Sequence, residues 1–141
     1  RVHGYIRSED VATVMLQMRS GATVTFNLSY ASRVEQDRFP ETFALVEGTE
    51  GAVELGPDFW IRTTTSEGTT SRRCPPPFYA WADPRYAVVH SSIVDCQRNL
   101  LLHLSGQGRA ETTGEDNLNT VRLVSAAYAS AASGETVRLP A

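Results

Sequence analysis

Two stretches near the start of the chain alternate with a period of two, and that alternation limits the folds open to it. In Ala12, Val14, Leu16 and Met18 the even positions are apolar, with Thr13 and Gln17 between them. After Ser20-Gly21-Ala22, the residues Val24, Phe26, Leu28 and Tyr30 alternate with Thr23, Thr25, Asn27 and Ser29. Successive side chains on a strand point to opposite faces, so each stretch offers one face to a core and keeps the other more polar. A hairpin turning at Ser20-Gly21 follows. The even positions are expected to meet the core. The odd ones, Thr13, Met15, Gln17, Thr23, Thr25, Asn27 and Ser29, are expected to line the opposite, open face.

More strands come next. Phe43 to Val46 and Ala52 to Leu55 flank a turn at Gly48/Gly51, and Phe59 to Thr63 follows a turn at Gly56-Pro57-Asp58. Thr69 to Cys74 reads as a further strand, ending against Pro75-Pro76-Pro77. Two helices then follow. Asp83-Pro84 starts the first, with Asp as N-cap and Pro in the first turn. Its apolar stripe is Val89, Ile93, Cys96 and Leu100, widened by Leu101 and Leu104, and it stops near Ser105-Gly106.

The second helix opens at Thr112-Thr113-Gly114-Glu115-Asp116. Thr112 and Glu115 have capping-box spacing, and acidic residues in the first turn suit the positive end of the helix dipole. Leu118, Val121, Val124, Tyr128 and Ala131 recur every three or four residues, giving one apolar face. Gly134 is the expected left-handed C-cap, and Thr136 to Leu139 the expected closing strand. Strands first and helices afterwards point to an α+β layer: a largely antiparallel open sheet with both helices on one face.

Composition narrows the function classes. A chain of 141 residues has the size of one domain with a real core. A formal charge of −3 and a pI near 5.6 argue against a nucleic-acid or anionic-membrane surface. No apolar run approaches the roughly 20 residues needed to span a bilayer, and no signal-peptide pattern is expected. Cys74 and Cys96 lack metal-ligand spacing and read as unpaired thiols in a reducing, cytoplasmic setting. His3, His90 and His103 are scattered without carboxylate or cysteine neighbours, which does not make a metal site.

The residue order is more specific than any of these patterns. Gly114-Glu115-Asp116, then Ala126-Ala127-Tyr128-Ala129-Ser130-Ala131, then Gly134-Glu135-Thr136-Val137-Arg138-Leu139-Pro140 resembles the extreme C-terminus of the Gfo/Idh/MocA oxidoreductases. Glu9-Asp10-Val11-Ala12 leading into the hairpin, and Val46 to Leu55 around Gly48 and Gly51, stand in the family's order too. The resemblance implies a C-terminal domain like that of glyceraldehyde-3-phosphate dehydrogenase, from an NAD(P)-dependent enzyme of sugars, cyclitols or related polyols. It further implies association through the open sheet face, as a homodimer or a dimer of dimers.

Several things that chemistry would need are missing. No Gly-x-Gly-x-x-Gly occurs, so the phosphate-cradling loop of a dinucleotide fold is absent. Every basic side chain is arginine, whereas the resembled family uses a lysine from its N-terminal half and an Asp/His pair from just ahead of Arg1. The chain, beginning at Arg1 without Met, is therefore expected to be one C-terminal substrate-binding and oligomerisation domain over residues 1–141. No catalytic, cofactor-binding or metal-binding residue is assigned within it.

Candidates for substrate contact are Tyr30, Ser32, Arg33 and His90. The resemblance places the end of the second alternating strand near the substrate, where hydroxyls and a guanidinium can hydrogen-bond a polyol or carboxylate. His90 lies early in the first helix, beside the aromatic loop Phe78-Tyr79-Ala80-Trp81. The plainer alternatives are a tyrosine at a core edge, an arginine on a solvated loop and a histidine satisfied by packing. For the loop, the alternatives are rings that complete the core or a wall that stacks on sugar C–H faces. At the level of the whole chain, the alternative to a dehydrogenase domain is a free-standing, non-catalytic α+β binding or dimerisation module.

Overall fold

In the computed structural model of the chain the described residues are 4–30 and 41–140. The chain divides into two compact units, Arg1–Arg33 with Glu111–Ala141, and Val34–Ala110. The α+β reading holds: every ladder is antiparallel, and two long helices follow the strands. Among the described residues the strands fall into a two-stranded and a four-stranded antiparallel sheet.

The first unit contains the alternating hairpin. Strand β1, Val11–Gln17, pairs with β2, Thr23–Ser29, in a register that sets Thr13 opposite Asn27, Met15 opposite Thr25 and Gln17 opposite Thr23. Gly21 takes φ 92°, a left-handed value that glycine reaches without strain. Its N–H donates to the Met18 carbonyl at 3.0 Å, and the Met18 N–H donates to that of Ala22 at 2.8 Å. Along β1 the even residues are half-buried and the odd ones exposed, as the alternation requires. On β2 the alternation fades, with Phe26 and Leu28 both exposed.

Helix α2, Gly114–Ser133, belongs to the same unit. Its N-cap is Thr113, one residue later than the capping-box spacing suggested. Thr113 is the residue in extended backbone directly before the helix, and its Oγ1 accepts from the Asp116 N–H at 3.2 Å. At the other end Gly134, at φ 74°, donates to the Ser130 carbonyl at 2.8 Å. The expected closing strand does not form: residues 135–140 pair in no ladder.

The second unit holds a four-stranded meander in the order β3 Ala44–Gly48, β4 Gly51–Leu55, β5 Trp60–Thr65 and β6 Gly68–Arg73. Gly51 is sterically fixed, because a Cβ there would lie 2.2 Å from the Thr64 carbonyl oxygen. Between β4 and β5 the chain turns through a 3-10 turn, Pro57–Phe59, in which Asp58 and Phe59 take φ 56° and 64°. After β6 a second 3-10 turn, Pro84–Tyr86, leads into helix α1, Ala87–Leu104. Asp83 caps that turn rather than the α-helix itself, accepting from the Arg85 N–H at 3.0 Å.

The core differs most from expectation. Among the described residues, the buried apolar ones are Ala82 and Ala110. The expected α2 stripe of Leu118, Val121, Val124 and Tyr128 is exposed, and so are Ile93, Leu101 and Leu104 of α1. On α2 the less exposed side carries Leu123, Ala126, Ala127 and Ser130, a row of mostly small side chains.

Candidate functional site

The seven odd-position residues share one face of the hairpin, and their polar groups bond across it. Thr13 Oγ1 donates to Asn27 Oδ1 at 2.9 Å, and Thr23 Oγ1 donates to Gln17 Oε1 at 3.2 Å. Met15, 73 % exposed, stands between these pairs opposite Thr25. The face therefore has an apolar centre edged by hydrogen-bonded amides and hydroxyls. It carries no charged side chain.

On the other side of β1 a cavity of about 240 Å³ is lined by Val14, Leu16, Leu123, Ala126, Ala127 and Val137, among others. Small side chains on α2 leave this space open. Nearby, Tyr128 donates its hydroxyl to Glu9 Oε2 at 2.8 Å, and Ser8 Oγ donates to the same oxygen at 2.7 Å. The Ser8 and Tyr128 bonds both hold the Glu9 carboxyl below its usual range, and the Glu9 acceptor pushes the Tyr128 phenol up.

Of the substrate-contact candidates, Tyr30 lies just past β2, exposed, with its N–H donating to the Asp10 carbonyl at 2.8 Å. Ser32 and Arg33 lie outside the described residues. His90 sits in the first turns of α1, within the second unit.

His90 is part of a column of rings. Trp81 lies 5.5 Å from it at 11° between planes, and Tyr86 lies 6.3 Å away at 22°. Tyr79 stacks on Trp81 at 5.4 Å and 29°. Offset aromatic pairs at such spacings each contribute about 0.5–1.5 kcal/mol beyond area burial. Arg85 places its guanidinium carbon 5.7 Å from the Tyr86 centroid, within cation–π range. The same guanidinium is held by Asp83, with Nη2 donating to Oδ2 at 2.6 Å and Nε to Oδ1 at 3.1 Å. Hydrogen bonds from the Arg85 side chain and from its backbone N–H pull the Asp83 carboxyl down to about 2.

The column was only partly legible beforehand. Tyr86 and His90 stand four residues apart, and that spacing makes them neighbours on the surface of a helix. The return of Trp81 onto His90 depends on how the loop after Pro77 runs, which no periodicity encodes. Tyr79 and His90 both stack on Trp81, which is still 64 % exposed.

For a nicotinamide dinucleotide the fit is poor. With only antiparallel ladders, the described residues contain no strand–turn–helix–parallel-strand unit whose glycine-rich turn would cradle a pyrophosphate. No group of three or more His, Cys, Asp or Glu among them could hold a metal ion. Cys74 and Cys96 are both free and exposed. No helix among the described residues is long and apolar enough to cross a membrane.

Comparison with known proteins was informative at the level of whole sequences, although no protein-family model matches the chain. The D-apiose dehydrogenase of Paraburkholderia graminis is 40 % identical over 139 residues, covering 99 % of this chain and 37 % of that protein. The D-apiose dehydrogenase of Rhizobium rhizogenes is 37 % identical over 141 residues, covering 100 % of this chain and 41 % of that protein. Among solved structures, an oxidoreductase from Agrobacterium radiobacter, crystallised with NAD+, L-tartaric acid and magnesium, superposes with a TM-score of 0.91. That match is 37 % identical and covers 97 % of this chain and 40 % of the other. The chain thus spans about two fifths of the length of the proteins it matches. Residue order, fold and these matches fit a C-terminal domain of the Gfo/Idh/MocA type of oxidoreductase.

Proposed function

We propose that this chain is the substrate-side and subunit-side domain of an NAD(P)-dependent dehydrogenase acting on a sugar, a cyclitol or a related polyol. The observation that carries this reading is the 40 % identity to a D-apiose dehydrogenase over 99 % of the chain. The neighbouring structure's NAD+ supports the cofactor class.

Bound to the rest of the parent enzyme, NAD(P) takes up the hydride that leaves the carbon bearing the oxidised hydroxyl. Residues 1–141 supply none of that chemistry: they build part of the wall of the substrate cleft, exclude water and orient hydroxyl groups. Tyr30, Ser32, Arg33 and His90 are the candidate contacts. Thr13, Met15, Gln17, Thr23, Thr25, Asn27 and Ser29 form the surface through which two copies associate, an apolar centre with a self-complementary polar edge. The setting proposed for the parent is the cytoplasm, in keeping with the free thiols.

The test is an assay of the full-length gene product that contains this chain. Reduced nicotinamide is followed with NAD+ or NADP+ and a panel of D-apiose, other pentoses, cyclitols and L-tartrate. Reduction of either nucleotide with a sugar or polyol is the expected result. A correctly folded protein that reduces neither with any of them would remove the dehydrogenase reading.

A further inference from the structure

Of the two ring nitrogens of His90, Nδ1 is the one sealed from solvent without a hydrogen-bond partner. Trp81 and Tyr86 pack near-parallel to the imidazole, at 11° and 22°, so the ring cannot turn over to exchange its nitrogens without breaking both stacks. An unpaired buried N–H is the rarer and costlier state, and neutral imidazole carries one proton. The proton therefore belongs on Nε2.

The rest of the column keeps it there. Tyr79 backs Trp81, and the Asp83–Arg85 pair holds a cation 5.7 Å from the Tyr86 ring.

We propose that the Tyr79–Trp81–His90–Tyr86 column fixes His90 as a single-direction hydrogen-bond donor, its Nε2–H directed to a hydroxyl oxygen of the sugar or polyol substrate. This rests on the dehydrogenase reading above, and it makes His90 a substrate-binding residue with no part in hydride or proton transfer.

The experiment uses the full-length protein, with D-apiose as the probe. His90→Asn carries an amide too short to reach the Nε2 position, whereas His90→Gln places its amide nitrogen close to it. His90→Asn should raise KM about tenfold and leave kcat within about twofold, as for one hydrogen bond lost equally from ground and transition states. His90→Gln should recover KM to within about threefold of the wild type, its amide N–H standing in for Nε2–H. Thermal melts of both variants separate this split from partial unfolding, which would lower active-site concentration and hence kcat.

A second readout is independent of activity. Long-range proton–nitrogen NMR of histidine-labelled protein without sugar should show His90 as the Nε2–H tautomer. A ring protonated mainly at Nδ1, or a rapidly exchanging mixture, overturns the inference whatever the kinetics show. Wild-type KM in His90→Asn overturns it too and leaves the dehydrogenase reading standing. Failure of the wild type to oxidise any sugar or polyol removes that reading and the hydroxyl-binding role with it, even if the tautomer is as expected.

Discussion

Arg73 closes the corner at Asp58 with two hydrogen bonds, Nη2 to Oδ1 at 2.7 Å and Nε to the backbone carbonyl oxygen at 3.2 Å. The corner needs closing, because Asp58 and Phe59 are consecutive non-glycine residues in left-handed backbone. Such a residue costs roughly 1–2 kcal/mol, somewhat less for aspartate. Removing the clamp with Arg73→Met is expected to lower stability by about 1–2 kcal/mol, through loss of a half-exposed ion pair and of a hydrogen bond to the backbone carbonyl. Asp58→Gly loses the same charge pair but also relieves the backbone, so its cost should be smaller. Urea titrations of both variants check the order, and equal or reversed losses would show that the corner is not strained.

Gly51 and Gly48 flank one turn, yet only one of them is sterically obligatory. Gly51→Ala drives a methyl group into the Thr64 carbonyl, while Gly48→Ala meets nothing closer than 3.7 Å. Overpacking against backbone is expected to cost Gly51→Ala about 1–3 kcal/mol, and Gly48→Ala clearly less. Melting temperatures of the two variants, measured side by side, are sufficient to decide.

Acid should loosen the loop that carries the ring column. The Asp83 carboxyl lies at about 2 in the folded chain against an ordinary 3.8. A depressed carboxyl contributes stability above its unfolded value and loses it as pH falls through the folded one. The Asp83–Arg85 contribution is therefore fully present above pH 3.8 and disappears as pH falls through about 2. Arg85→Met should move the Asp83 midpoint back toward 3.8, as read from its carboxyl carbon by NMR; an unmoved midpoint would mean Arg85 is not the cause.

Charge placed at the centre of the hairpin face should separate subunits. Met15 and Thr25 are cross-strand partners, so Met15→Arg or Thr25→Arg sets like charges against each other across a self-complementary contact. The dimer proposed for the full-length protein is expected to weaken by at least about tenfold. Sedimentation velocity across a concentration series gives the answer. A wild type that stays monomeric at high micromolar concentration would dispose of the interface altogether.

What could be read from the residues alone was local. The turn at Gly21, the C-cap at Gly134 and the alternation along β1 each depend on a few neighbouring positions, and each appears as the sequence indicates. The capping threonine is one position off because Thr112 and Thr113 offer the same hydroxyl, and only backbone geometry selects between them. The α2 stripe is an apolar face, as its period requires, but which face is covered is a tertiary matter: Leu118, Val121 and Val124 are exposed and the alanine side is the less exposed one. A strand from Thr136 to Leu139 needs a partner edge, and apolar alternation cannot supply one. His90 was singled out by position, whereas its sealed Nδ1 follows from a loop that returns in space.

The exposed apolar stripes on α1 and α2 bear on how stability itself should be understood. Only Ala82 and Ala110 are buried apolar residues among those described, so little of the hydrophobic stabilisation these side chains can supply is realised within the chain. Any surface that covers Leu101, Leu104 or Val121 binds the folded state and not the unfolded one. By mass action it then raises the melting temperature in proportion to the logarithm of its concentration. Wherever such a covering surface is supplied, folding and association become linked equilibria, and a melting temperature acquires meaning only with a stated concentration.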